Sequence, residues 1–439
     1  MNKIFLRNAR LIDGTGAAAI ENGTLVLEKP STTKEKGKIL YAGTTHDCPN
    51  IPGPDDEIAD LSGYSVLPGI FDCHVHLWET SQKPMFKADH LGVPTRTLMY
   101  YRNVLDSLIA GVTTIRTCGS SDYIDVAIRD AIEAGKLWGS RIVACGSPIE
   151  PYGGHCHITW GTIECSGPDD FTRAARIQMG EGVDFIKLMY TGGAGGGTDE
   201  AMYGTHITDE EATAVCKVVH MRGKKVAAHL SNDSAIRSAL NAGVDSIEHA
   251  YSMTEDTARM MADKGAYLVP TMGVTGNSLK VPEESLNDHF KLVLGRLRSA
   301  HPAHQQAFEF ALKHGVKIAC GTDAIPSVRF QGVTSTYGEI KLLVEGGMSP
   351  IEAIKAATFN SAELCDLNRK TGSLQVGLAA DITVFQGSPD QDINDLDKLS
   401  MVIKDGQVVW SNVKNFVKLC QYSLIGNADD PLFGIGQPW

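Results

Sequence analysis

Between Val66 and Gly321 eight short apolar runs alternate with amphipathic stretches. No other feature constrains the fold as much. The runs are Val66–His76, Val112–Arg116, Ile142–Cys145, Phe185–Met189, Lys225–His229, Ser246–His249, Tyr267–Pro270 and Lys317–Gly321. Most have the length of strands buried on both faces, the kind found in parallel sheets. The stretches between them open on polar caps and stop near glycine: Thr208 to Gly223, Asp233-Ser234 to Gly243, Thr254-Glu255 to Gly265. Eight strands alternating with helices over ~255 residues match an α/β fold of the (β/α)8 TIM-type barrel class in number and size. An open doubly wound sheet is the alternative. Against it, no Gly-x-Gly-x-x-Gly opens a helix after the first run, and Gly192–Gly197 lacks the Lys-Ser/Thr of a phosphate loop. That glycine run reads as a mobile loop at the barrel mouth.

Both ends of the chain are β-rich. Phe5–Leu11, Gly23–Leu27 and Ile39–Ala42 lie before the barrel pattern, and Ala380–Phe385 and Met401–Trp410 after it. The expected organisation is a barrel domain over 65–360 and a small composite β-sandwich domain from 1–64 and 361–439. The stretch from 413 reads as a helix-like segment followed by a Pro/Gly tail. The net charge of -12 weighs against a nucleic-acid surface. No stretch is apolar for the length of a membrane span, and the N-terminus lacks the apolar core of a signal peptide. Ten cysteines with no Cys-x-x-Cys suit a reducing compartment. The expectation is a cytoplasmic enzyme acting on a small molecule, without nucleic-acid or membrane partners, and homo-oligomeric.

The chemistry collects at the ends of the apolar runs. His74 and His76 close the first, and residues i and i+2 of a strand point to one side. Two imidazoles aimed at one point make half of a metal site. Lys187 lies inside the fourth run, His229 ends the fifth, His249 the sixth, and Asp323 follows the eighth. The C-terminal ends of barrel strands are where active sites form. Six such groups buried without a cation would leave costly polar atoms unpaired.

These residues resemble the amidohydrolase superfamily. The resemblance rests on Leu67-Pro-Gly-Ile-Phe-Asp-Cys-His-Val-His76, Lys187, His229, His249 and Gly321-Thr-Asp323, with Gly377-Leu-Ala-Ala-Asp-Ile in the flanking β segment. Val183-Asp-Phe-Ile-Lys187, Gly153-Gly-His-Cys-His157 and Gly243-Val-Asp-Ser-Ile-Glu-His249 are similar to the imidazolonepropionase-related branch, which includes metal-dependent Xaa-Pro dipeptidases. The resemblance implies two divalent metal ions, zinc being suggested by the His/carboxylate donors. His74, His76 and Asp323 would hold one, and His229 and His249 the second. Lys187 would bridge them as an N-carboxylated lysine; an ordinary ammonium beside Asp323 in a mononuclear site is the alternative. A bridging hydroxide would attack the amide carbonyl, with Asp323 as base and then acid. His155, or else His157, would stabilise the oxyanion.

Substrate contacts are read more thinly. Trp78, Tyr152, Trp160, Tyr190, Tyr203, Tyr251 and Arg329 follow strand runs and could line the mouth. Of these, Tyr190 and Arg329, with His157, are the expected substrate-binding residues. Arg116 is either a carboxylate partner or a structural ion-pair partner. The resembling dipeptidases often carry a histidine or an aromatic where this chain has Ser231, a departure from a plain dipeptidase pattern. The expected reaction is hydrolysis of a dipeptide or N-acyl amino acid. The alternatives are an aryl amide, carbamate, urea, ochratoxin-like or cyclic amide substrate, a metal-dependent deaminase, or a non-catalytic barrel.

Overall fold

The computed structural model describes residues 2–32, 34–77, 91–157, 161–196, 200–284 and 286–419. Trp78 and Trp160 lie outside them.

The apolar runs form parallel strands, except that the first divides: Val66–Pro68 lies in Tyr64–Pro68 of a separate mixed sheet, and only Ile70–Val75 joins the parallel strands. Ile70–Val75, Val112–Thr117 and Arg141–Val143 make one group. Ile163–Cys165, Ile149–Pro151, Phe185–Met189, Lys225–Asn232, Ser246–Ser252, Tyr267–Val269 and Lys317–Ile318 make the second, in that order. Backbone bonds join the groups at both ends. Asp184 N–H reaches Ala144 O at 2.7 Å. On the other side Cys73 N–H donates to Cys320 O (2.7 Å) and Asp323 N–H to His74 O (2.8 Å). The last strand therefore lies against the first. Alternation along each strand sends one set of side chains toward the helices and the other to the opposite side of the sheet.

The helices between the strands start and stop where side chains satisfy their free backbone groups. Thr208 and Glu211 form a reciprocal capping box at the start of Asp209–His220. Asn232, one residue earlier than expected, caps Asp233–Ala242, and Gly243 ends it at φ 97°. One large apolar cluster fills the space between strands and helices, with Ile115, Ile186, Leu188, Val226, Ile247 and Leu268 on the strand side.

Strands from both chain ends share an eight-stranded sheet. Its order is Gln407–Ser411, Leu399–Lys404, Ile382–Gln386, Tyr64–Pro68, Lys3–Leu11, Ile20–Glu28, Ile39–Thr44, and Glu57–Asp60 also pairs with Lys3–Leu11. Leu6, Leu25, Val66, Ile382 and Ile403 fill its core. A buried ion cluster ties this sheet to the parallel strands. Asp381 takes Lys404 Nζ at 2.9 Å and Arg141 Nη2 at 3.1 Å. No helix forms within the described part of the segment from 413; Lys418 instead bridges to Ser411. Among the described residues no helix is long and apolar enough to cross a membrane.

Candidate metal centre and catalytic cavity

The six strand-end groups meet at one end of the parallel strands. His74 and His76 both direct Nε2 at Asp323 Oδ1, at 3.3 and 3.0 Å. Lys187 Nζ lies 3.5 Å from His74 Nε2. The His249 ring is 4.9 Å from that of His74 and 4.5 Å from that of His229. Ligand atoms of His74, His249 and Asp323 all lie within 4.8 Å of one another. All four histidines and Lys187 are buried.

Hydrogen bonds fix which imidazole nitrogen is available. Glu248 Oε2 accepts from His74 Nδ1 at 2.8 Å, which leaves a lone pair on Nε2. Thr271 Oγ1 gives its only proton to Pro270 O (2.6 Å) and so must accept from His249 Nδ1 (2.7 Å). His249 Nε2 is thereby also a lone-pair donor. His229 Nε2 meets the Gly192 carbonyl at 3.1 Å, which leaves Nδ1 as its lone pair. Three rings from three strands are thus preset as neutral ligands.

Electrostatics agree with this assignment. Burial, reinforced by the Lys187 charge, pushes His74 down to about 4. Burial likewise holds His229 and His249 well below the usual histidine range. Burial alone would raise Asp323, but His74 and His76 outweigh it and keep its carboxyl ionised. The backbone is strained at the same place, with positive φ at His249 (70°), Ala250 (59°), Thr271 (52°) and Asp323 (58°). The donor set of neutral imidazoles and an ionised carboxylate fits a divalent cation. A second group, His74, Cys118 and Glu248, is a poorer ligand set. Burial lifts the Cys118 thiol to about 12, and Glu248 is held by Arg116.

A cavity of about 330 Å³ opens onto the cluster, with His76, His155, His229, Tyr251 and Asp323 in its wall. The two loop histidines now separate. His155 stacks on His229 with ring centroids 4.7 Å apart, and its Nδ1 meets Glu200 Oε1 at 2.7 Å. His157 is half-exposed, pairs with Glu164 and does not line the cavity. Tyr190 also lies elsewhere. Its ring is buried in the outer apolar cluster and its hydroxyl bonds Ser238. Arg329 Nη1 binds Gly332 O at 3.0 Å and is not in the wall either. None of these three expected substrate contacts lines this cavity. Arg116 is buried and bonds Glu248 Oε1 at 2.6 Å, so its structural alternative holds. Tyr152 and Tyr203 are exposed, and of the described mouth aromatics only Tyr251 lines the cavity.

Sequence reasoning missed the supporting groups. Glu248 and Thr271 each orient a cluster histidine from another chain segment, and Glu200 orients the loop histidine His155. Gly193 is also required where it sits: a Cβ there would run into His155 and His229. Gly193 N–H donates to Glu200 Oε1 at 2.9 Å, and Ser231 Oγ donates to Gly192 O at 2.9 Å. The described part of the glycine run is thus bonded to the site, not detached at its mouth.

Comparison with known proteins points the same way. A model of the amidohydrolase family matches residues 65–409. The ochratoxinase of Aspergillus niger is 27% identical over 392 residues, covering 80% of this chain and 75% of that protein. The imidazolonepropionase of Sphingopyxis alaskensis is 26% identical, covering 91% and 96%. The crystal structure of a Xaa-Pro dipeptidase with bound methionine superposes with a TM-score of 0.80 at 30% identity, covering 93% of this chain and 99% of that one. The chain belongs to the amidohydrolase family, as an enzyme that hydrolyses C–N bonds.

Proposed function

We propose that the protein is a binuclear metal-dependent amidohydrolase that cleaves the amide bond of a dipeptide or N-acyl amino acid. The parallel strands close as a (β/α)8 barrel, and the mixed sheet forms a composite domain from both chain ends. His74, His76 and Asp323 would hold one divalent ion and His229 and His249 the other, with Lys187, once carboxylated, as a ligand shared by the two. Zinc is the favoured metal. The observation that carries this reading is the preset of His74, His229 and His249 as neutral ligands around Asp323 and Lys187.

When bound, two divalent ions supply a hydroxide near neutral pH and polarise the scissile carbonyl. The chain's residues do the rest. Asp323, kept ionised, accepts the proton of the attacking water on one carboxylate oxygen and passes it to the departing amine. His155, stacked on His229 with its Nδ1 held by Glu200 Oε1, is the loop residue placed to stabilise the oxygen that gains charge. Gly193 keeps the loop close without filling the space of the two rings.

A second reading, a neutral aryl amide, carbamate or urea, is favoured by the wall itself. Among the described residues no Lys or Arg lines the cavity to pair a substrate carboxylate. Release of amine from a panel of dipeptides, N-acyl amino acids and aryl amides tests both readings. Turnover that Asp323→Asn abolishes is expected. Turnover unaffected by that change removes Asp323 as the proton carrier, and hydrolysis of none of the panel by zinc-loaded protein contradicts both readings.

A further inference from the structure

The helix Asp288–Lys313 forms one side of the cavity, far in sequence from every cluster residue except Asp323. Its Phe290, Val293 and Leu297 lie at i, i+3 and i+7, so they share one face. All three are half-buried, with apolar surface left facing the space beside the cluster. Val293 and Leu297 also pack against the small apolar cluster of Ala194, Met202, Tyr251 and Ala300, and the Tyr251 ring stacks on His249 at 5.3 Å. The apolar face is therefore continuous with the reacting centre. Arg296 on the same helix is turned to the glycine loop. Its guanidinium donates to Gly196 O at 3.1 Å and Glu200 O at 2.8 Å. The charged group that accompanies this face is thus used to hold the loop.

We propose that the Phe290–Val293–Leu297 face binds an uncharged apolar arm of the substrate, alkyl or aryl, next to the scissile bond. The inference rests on the amidohydrolase reading and narrows its substrate class. An apolar arm gains by leaving water for this wall. A carboxylate terminus placed there loses its hydration, and among the described residues no Lys or Arg lines the wall to replace it.

The test is calorimetric titration of the zinc-loaded full chain with straight-chain alkylphosphonates from propyl to heptyl. A matched series carrying a terminal carboxylate is titrated alongside. Affinity is expected to tighten about fourfold per methylene until the cavity is filled. The terminal carboxylate should cancel that gain, and Phe290→Ala and Leu297→Ser should each flatten the slope. Affinity independent of chain length, no binding by any member, or tighter binding of the carboxylate series overturns the inference. Hydrolysis of N-acyl anilides of matching chain length separates it from the parent reading. Chain-length-dependent binding without turnover would keep the subsite and contradict the hydrolase. Turnover with no dependence on chain length would keep the hydrolase and remove the subsite.

Discussion

Glu248 Oε2 lies 2.8 Å from His74 Nδ1 while its Oε1 lies 2.6 Å from Arg116 Nη2. A buried cation thus holds a carboxylate, and the carboxylate holds a cluster histidine. Burial alone would raise Glu248, but Arg116 and His74 keep it well below the usual carboxylate range. Partners of this kind set ligand orientation and basicity, and their loss costs roughly 10–100-fold in metal affinity. Glu248→Gln should lower zinc affinity by about that factor in a chelator competition. It should also destabilise the fold by about 3 kcal/mol or more, because Arg116 is left buried without a counter-charge. Zinc affinity unchanged within about threefold would show that Glu248 does not orient His74.

The same pair yields a pH dependence. His74 is pushed down to about 4 in the folded chain, against about 6.5 when unfolded. With the folded value depressed, the unfolded chain binds the proton first as pH falls. Stability associated with neutral His74 is thus complete above about pH 6.5 and drains away toward pH 4. In metal-free protein, His74→Asn should gain on the wild type by about 2–3 kcal/mol between pH 7 and pH 4. Denaturant titrations at several pH values measure the difference, and a constant difference contradicts the depressed value.

Thr271 does for His249 what Glu248 does for His74, through a hydroxyl whose proton is already committed to Pro270 O. Thr271→Val keeps the shape and removes the acceptor. Zinc occupancy and kcat should each fall by about tenfold or more, and Thr271→Ser should restore both. Equal behaviour of the Val and Ser variants would leave Thr271 with a packing role only.

Gly193 and Gly195 provide an internal control. A Cβ at Gly193 meets His155 and His229, whereas at Gly195 it meets nothing within 4 Å. Gly193→Ala should lower kcat by roughly 100-fold, the scale for displacing a catalytic group by about an ångström. Gly195→Ala should leave kcat within about twofold of wild type. Similar losses at both positions would indicate a general effect of stiffening the loop.

The parallel strands were legible in the sequence because strands buried on both faces read as compact apolar runs. Phe185–Met189 begins and ends where expected, and Lys225, Ser246, Tyr267 and Lys317 each open a strand as expected. The cluster was legible because side chains two apart share a side, as in His74 and His76. That alternation could also have excluded Tyr190, which stands three residues after Lys187 and so points away from it. His155 and His157 could not be told apart, since their loop has no regular period. Their partners Glu200 and Glu164 come from separate segments. Arg116 was ambiguous for a similar reason: its partner Glu248 lies 132 residues away. The apolar cavity wall on Asp288–Lys313 was hidden too, because its stripe looks the same in sequence as one facing a core.

Metal content is the most direct test of the central claim. Full-length protein, stripped by chelation and reloaded with zinc in bicarbonate buffer, is analysed for bound metal by mass spectrometry after desalting. The cluster around Asp323 and Lys187 predicts two ions per chain, and one or fewer after Lys187→Ala. One ion in wild type, unaffected by that change, would favour a mononuclear site of the deaminase kind. No retained metal at all would contradict the proposed hydrolase.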